Sequence, residues 1–335
     1  MSYLMPTYSA SEPALTQRPA STALLVIDSE DRFPDYTASR AIPRTVPVGL
    51  NTPYNFTITR NQSILNGFLT RLAVTEINFP WAVPNINLKT RSILYSYQPN
   101  GAPDVSGTIT LATGFYTPSQ LAASFQAAVI AQAGAAAFTM AYGDDNTSNG
   151  SEPSFSYNAG GPGETPNTIA FFPMPNNTAA YPYPSQTKQL FDLLGFNTTF
   201  NSELAPFAIT NRYTFCQAIR YVDIVCPQLT YNQALKDTMS QNVARDSLCR
   251  IYLGDANIPG NVDLASTAFC PPGCQPFTIY RNFATPKQIQ WLGNQPVPGK
   301  LEFQVYDDTG ALLTESIGLD GLVMDWSMTL LVTEN

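Results

Sequence analysis

The chain has 335 residues, enough for one large domain or two small ones, and 44% of them are hydrophobic, so a chain of this size can bury roughly three quarters of its extended surface. Only 13% are charged, where a soluble domain carries about 25%. The formal net charge is −8, with no cluster of Lys and Arg and no histidine anywhere. A phosphate backbone is gripped by clustered cations, so the composition disfavours direct nucleic-acid contact. The missing histidines remove Ser-His-Asp and Cys-His catalysis, His metal sites and His pH switches. A surface that replaces Lys and Glu by Asn, Thr, Ser and Gln suits a chain covered by neighbours, because charge is depleted at interface cores. A secreted, low-charge β-protein is the plainer reading of the same composition.

Residues 1–21 are rich in Pro, Ser, Thr and Ala and have no hydrophobic period. They read as an N-terminal arm preceding a domain over 22–335. The arm carries one acid and one base, Glu12 and Arg18, and its prolines Pro6, Pro13 and Pro19 break any helix. If a neighbouring subunit orders it, Tyr3, Leu4 and Tyr8 are its anchors. The chain start lacks the basic and apolar regions of a signal peptide, and no apolar run is long enough to insert in a membrane. Synthesis in a reducing cytoplasm is expected, and the Asn-x-Ser/Thr sequons are then products of an Asn/Thr-rich composition.

Strands dominate the remainder. LLVIDSEDR (Leu24 to Arg32) is an aliphatic strand running into an acidic-arginine turn. Tyr54, Phe56 and Ile58 alternate with polar neighbours, and a longer strand from Leu69 ends in the Pro/Asn-rich loop beyond Trp81. The same period of two appears in Val222, Ile224 and Cys226, in Cys249, Ile251 and Leu253, in Leu301, Phe303 and Val305, and in Trp326, Met328, Leu330 and Val332. Such alternation gives each strand one apolar face, as a sandwich requires. Further strands are predicted at 91–97, 107–113, 168–172, 277–281 and 287–292, and DDTG (Asp307 to Gly310) is placed for a hairpin turn.

Two short helices interrupt the strands. Thr117, Pro118 and Gln120 form a capping box with proline at the first helical position, Leu121, Phe125, Ala128 and Val129 share a face, and Gly134 ends the helix. A second helix starts near Ser185, with Leu190, Leu193 and Leu194 as its stripe and Gly195 as its stop; a weak third follows Thr230. Gly143 to Pro184 reads as loop-rich, with strand-like islands at 155–157 and 168–172, and an insertion subdomain over about 100–205 is an expectation.

The search for chemistry returns little. Of the five cysteines, Cys270 and Cys274 lie in a tight CPPGC loop. Zinc needs four ligands and no histidine is available; buried thiols and an oxidised Cys270–Cys274 staple are the other readings. Asp144, Asn146 and Ser148 imitate an EF-hand opening, but the twelfth position is Phe155 and not Glu. NAGGPGE (Asn158 to Glu164) lacks the Gly-Lys-Ser/Thr ending of a phosphate loop. Asp28 and Asp31 are the nearest carboxylate pair for a glycosidase, yet Arg32 beside them favours a structural, ion-paired turn. Tyr181 and Tyr183, read as exposed, suit sugar stacking in a lectin or anchoring at an interface. No catalytic residue, metal ligand or cofactor site is assigned, and the chain is read as no enzyme.

Several segments, in order, resemble a known family. They are LLVIDSEDR, PYNFTITR and the strand from Leu69; TITLATGFYTPSQLAASF (Thr108 to Phe125); KQLFDLLGF (Lys188 to Phe196); KLEFQVYDDTGALL (Lys300 to Leu313); and DWSMTLLV (Asp325 to Val332). This order is similar to that of the penton and minor capsid proteins of large icosahedral DNA viruses, virophages and polinton-like viruses. The Glu of SEDR and the Pro-rich middle depart from the family pattern. The resemblance implies an all-β jelly-roll sandwich with two short helices and long inserted loops. It implies a virion protein assembled in the host cytoplasm, a homopentamer at the five-fold vertices, partnered by the major capsid protein and other minor capsid proteins. A minor capsid protein beneath the facets is the alternative within the class, and a glycan- or receptor-binding β-module is the alternative outside it.

Overall fold

A computed structural model of the chain describes residues 21–32, 52–59, 69–99, 103–145, 152–158, 168–185, 187–196, 209–212, 219–230, 238–240, 243–245, 247–253, 276–290, 299–313 and 324–334. Three strands come first: β1 (Ser21–Asp28), β2 (Asn55–Thr59) and β3 (Leu69–Trp81). A long excursion follows, with β4 (Ser92–Gln98), β5 (Val105–Thr110), α1 (Pro118–Ala128), β6 (Thr139–Asp145), β7 (Glu152–Asn158), β8 (Thr168–Phe172), α2 (Leu190–Leu193) and β9 (Ile209–Arg212). The chain then returns through β10 (Tyr221–Val225), α3 (Pro227–Thr230), β11 (Thr238–Ser240), β12 (Val243–Arg245) and β13 (Ser247–Tyr252). It ends with β14 (Phe277–Asn282), β15 (Gln288–Gln290), β16 (Lys300–Asp307) and β17 (Ser327–Glu334).

Two antiparallel sheets form a sandwich. The first has the order β1-β17-β3-β14, with β15 continuing β14 along the same edge of β3; the second has the order β13-β10-β16-β2. Counted along the chain with β14 and β15 as one interrupted strand, the sandwich strands pair 1-8-3-6 in one sheet and 5-4-7-2 in the other. That interleaving is the double Greek key of a jelly roll.

Alternation explains the core. Phe56 and Ile58 of β2, Leu301, Phe303 and Val305 of β16, and Met328, Leu330 and Val332 of β17 are buried, while their neighbours in sequence face outward. Phe56 stacks on Phe303 with centroids 5.3 Å apart, and Trp326 meets Phe56 edge-on at 5.7 Å. The long strand β3 changes phase, burying Leu72 and Val74 and then Ile77, Phe79 and Trp81. A bulge absorbs the change: Leu330 opposes Val74 and Thr329 opposes Glu76, leaving Thr75 as the extra residue.

The excursion between Trp81 and Tyr221 has a second hydrophobic cluster of its own, drawn from Ile86 through Phe196. Its sheets are β5-β4-β8 and β6-β7-β9. Between them lie the apolar residues of α1, with Phe125 against Phe171 at 5.2 Å and Phe138 at 6.1 Å. The predicted capping box forms: Gln120 N–H donates to Thr117 Oγ1, and Thr117 N–H donates to Gln120 Oε1. The helix passes into a π turn over Val129–Ala133 and stops at Gly134, whose φ of 73° a side chain would strain.

Several expectations need adjustment. Within Gly143 to Pro184 both strand-like islands are strands, 155–157 inside β7 and 168–172 as β8, and the sheet extends further than expected, to Asp145 in β6 and from Glu152 in β7. The excursion also begins earlier than residue 100. The strand expected at 107–113 lies at Val105–Thr110, and the second helix is a single turn, Leu190–Leu193, capped by Gln189 and Asp192. A single helical turn, Pro227–Thr230, ends where the third helix was expected to start, and residues 231–237, on which that expectation falls, lie outside the described residues. So do the arm with Tyr3, Leu4 and Tyr8, the CPPGC loop, and most of the EF-hand-like and Gly-rich segments.

Candidate functional site

Two polar clusters tie distant parts of the chain together, and both are built on turns the sequence marks. The first is the SEDR turn. β1 ends at Asp28, and Ser29–Arg32 forms one 3-10 turn. Asp28 Oδ1 accepts the Glu30 N–H at 2.8 Å, as a turn-initiating aspartate does. Arg32 is buried and reaches the Ser29 carbonyl and Asp325 Oδ1, just before the closing strand β17. Ser29 completes the clasp: its Oγ donates to Asp325 at 2.9 Å and accepts the Trp326 N–H at 2.9 Å, while its own N–H donates to the Trp326 carbonyl. Trp326 Nε1 donates to the Pro53 carbonyl, so the turn, β2 and β17 converge. Asp31 is exposed at the surface of the turn. Burial outweighs the Glu30 bond and raises the Asp28 carboxyl above its ordinary value.

The second cluster joins the excursion to the sandwich. The Pro/Asn-rich loop after β3 is held by its own side chains: Asn87 Nδ2 donates to the Pro84 carbonyl, Thr90 Oγ1 to the Asn85 carbonyl, and Asn85 brackets Tyr116 through both backbone groups. This rigid loop delivers Lys89 to Asp307 at the end of β16, Nζ to Oδ2 2.6 Å, with side chains only 4% and 1% exposed. The other carboxylate oxygen of Asp307 accepts Thr309 N–H, Thr309 Oγ1 and Ala311 N–H, closing the DDTG turn that Gly310 completes at φ 91°. Tyr181 donates its hydroxyl to the Lys89 carbonyl and packs edge-on against Tyr183 at 4.8 Å. Tyr181 is therefore buried and not an exposed sugar platform, which removes the aromatic pair that carried the lectin reading.

Sequence reasoning placed Asp307 in a hairpin turn but found neither its pairing with Lys89 nor that of Arg32 with Asp325. Lys89 and Asp307 are 218 positions apart, and Arg32 and Asp325 are 293 apart. The available signal was Lys89 within the Pro/Asn-rich loop, two residues before Arg91.

The two outer faces of the sandwich differ. Around β1 and β17 the outward residues are Leu24, Val26, Thr329 and Leu331, and Leu24 and Val26 are 66% and 61% exposed. The outer face of the second sheet carries Tyr221, Tyr252 and the Arg250–Asp223 pair, in which Arg250 also lies over the Tyr221 ring at 3.9 Å.

Among the described residues, no group of three His, Cys, Asp or Glu side chains is placed to hold a metal ion, and no helix is long and apolar enough to cross a membrane. Cys226 and Cys249 are buried free thiols, and burial pushes both up to about 12, far from a reactive thiolate.

No protein-family model matches the chain, and no curated protein matches its sequence. Among solved structures it is similar to the crystal structure of the selenomethionine-labelled mavirus penton protein, at 12% identity and a TM-score of 0.47, over 94% of this chain and 99% of that one.

Proposed function

We propose that this protein is a structural subunit of an icosahedral DNA-virus capsid, the penton that closes each five-fold vertex as a homopentamer. The observation that carries the reading is where the resembling segments fall. LLVIDSEDR occupies β1 and its clasp, TITLATGFYTPSQL spans β5 to α1, KQLFDLLGF forms α2, KLEFQVYDDTGALL forms β16 and its turn, and DWSMTLLV enters β17. They occupy the first and the last two strands of the jelly roll and the core of its insert, so they act together in one architecture. The chain does its work by shape. A jelly roll is a wedge whose faces meet copies of itself in a ring, and a sparsely charged outer sheet suits such contact. Asp28, Asp31 and Arg32 are structural in this reading, and the insert between β3 and β10 is a subdomain carried on the wedge. Partners are other copies, the major capsid protein and the minor capsid proteins; nucleic acid is not contacted directly, and the location is the virion.

Native mass spectrometry of the purified chain tests the ring, with five copies expected, and a density map of the particle vertex tests its place. A chain that stays monomeric and occupies no position in the shell overturns the proposal. Density beneath the facets would make it a minor capsid protein.

A further inference from the structure

Four strands end the two sheets, and three of them are protected as edge strands usually are. The β14–β15 edge is interrupted by Pro286 and flanked by Arg281 and Lys287. Strand β13 carries Arg250, and its pairing with β10 slips between Ile224 and Val225. Strand β2 is only five residues long. Charge, proline, a bulge or shortness each discourages a further strand from pairing there. Strand β1 has none of these. It runs eight residues in unbroken register with β17, has no proline, and carries no charge before Asp28 at its end. Its other edge has no strand partner among the described residues. Its outward face shows Leu24 and Val26, each more than half exposed, with Leu331 in register beside Leu24. An open, straight, aliphatic edge of this kind is a site for strand addition.

The chain that precedes β1 suits the role of occupant. Residues 1–20 end where β1 begins, carry Glu12 and Arg18 as their only charges, and place Tyr3, Leu4 and Tyr8 far from the strand. Eighteen positions separate Tyr3 from Ser21, a reach of about 60 Å when extended, against about 26 Å for the length of β1. A segment folded back on its own β1 sets residues near Arg18 against the strand and leaves the three anchors overhanging. A segment arriving from a neighbour can set the anchors themselves on Leu24 and Val26. We infer that residues 1–20 of a neighbouring copy lie along the open edge and outer face of β1, with Tyr3, Leu4 and Tyr8 covering Leu24 and Val26. The inference rests on the homo-oligomer proposed above and names one of its contacts.

A photo-crosslinking amino acid at position 8 tests it, in full-length chains assembled from an equal mixture of ¹⁴N and ¹⁵N protein. The expected product joins position 8 to the peptide holding Leu24 and Val26, with the two isotopes mixed as random association dictates. Products exclusively of a single isotope, with no mixed pairs, or products joined to another strand, overturn the inference. Separately, Leu24→Lys with Val26→Lys changes only outward side chains, so the monomer should melt unchanged while assembly weakens by at least about tenfold. A ring that forms equally well from this variant and from chains lacking residues 1–20 overturns the arm contact and leaves the ring standing. A full-length chain that is monomeric by native mass spectrometry overturns both.

Discussion

The sandwich and its insert solve the same problem in opposite ways. Every sheet of the sandwich depends on partners far apart in sequence: β1 pairs β17 across almost the whole chain, and β2 pairs β16. The insert is assembled from near neighbours, β4 with β5 and β6 with β7, closed over the aromatic cluster of Phe125, Phe138, Tyr157, Phe171 and Phe196. Loop closure is cheap for the second and costly for the first. The insert can therefore form before the sandwich, whose last strand is also its central one. A chain with this division has a local unit that folds early and a sandwich that closes only when the chain is complete.

That comparison breaks most sharply by emptying each core in turn. Phe303→Ala should cost the sandwich about 3–5 kcal/mol, and Phe125→Ala should cost the insert the same, since both rings are fully buried. If the insert is a cooperative unit of its own, Phe125→Ala lowers one of two calorimetric transitions and leaves the other in place. A single transition, shifted equally by either variant, would falsify the division.

Joining the two units is the Lys89–Asp307 pair, and its loss comes next in size. Lys89→Met strands the Asp307 carboxylate in a dry site, and removing one partner of such a pair costs about 3–5 kcal/mol. Adding Asp307→Asn should recover much of that, because the amide oxygen can still accept from Thr309 and Ala311 while the unpaired charge is gone. Urea denaturation of both variants reads the difference. Equal stability of the single and double variants would mean that the pair does not hold the insert to the sandwich.

The same contrast governs what the sequence made legible. Strands with one buried face announced themselves: Phe56 and Ile58, the Leu301–Val305 set and the Trp326–Val332 set all fall where alternation put them. The local signals of α1 were equally readable, since a capping box is contained in four residues. β6 and β9 were missed because TMAYGDD and ITNR hold too few apolar residues to mark a buried face. The phase change of β3 at Thr75 is invisible without its partner strand. The clasp turn was found but its far partner was not, and the joint was not found at all, because pairing between charges hundreds of residues apart follows from topology and leaves no local pattern.

Arg32→Ala probes the sandwich alone. The lost bonds to Ser29 and Asp325 are charge-assisted, but Asp325 is 35% exposed and solvent screens the pair, so about 1–2 kcal/mol is expected. The sandwich transition should fall and the insert transition should not. A shift confined to the insert would mean that the clasp is not what fastens β1 to β17.

The smallest effect separates the two ends of the same turn. Burial raises the Asp28 carboxyl above its ordinary 3.8, so the folded state holds this proton more tightly than the unfolded chain does. Stability contributed by Asp28 is therefore greatest at low pH and declines as pH rises from 3.8 through the raised value, after which the deficit is constant. Asp28→Asn keeps an oxygen for the Glu30 N–H and removes the charge that burial disfavours. It should melt slightly higher than the parent at neutral pH, and the two curves should converge below pH 3.8. Arg32 works against this, since its positive charge near Asp28 lowers the same carboxyl, so the gain from Asp28→Asn should be larger in an Arg32→Ala background. A variant that melts lower at neutral pH in both backgrounds would show that the Asp28 charge fastens the turn, in place of merely being tolerated there.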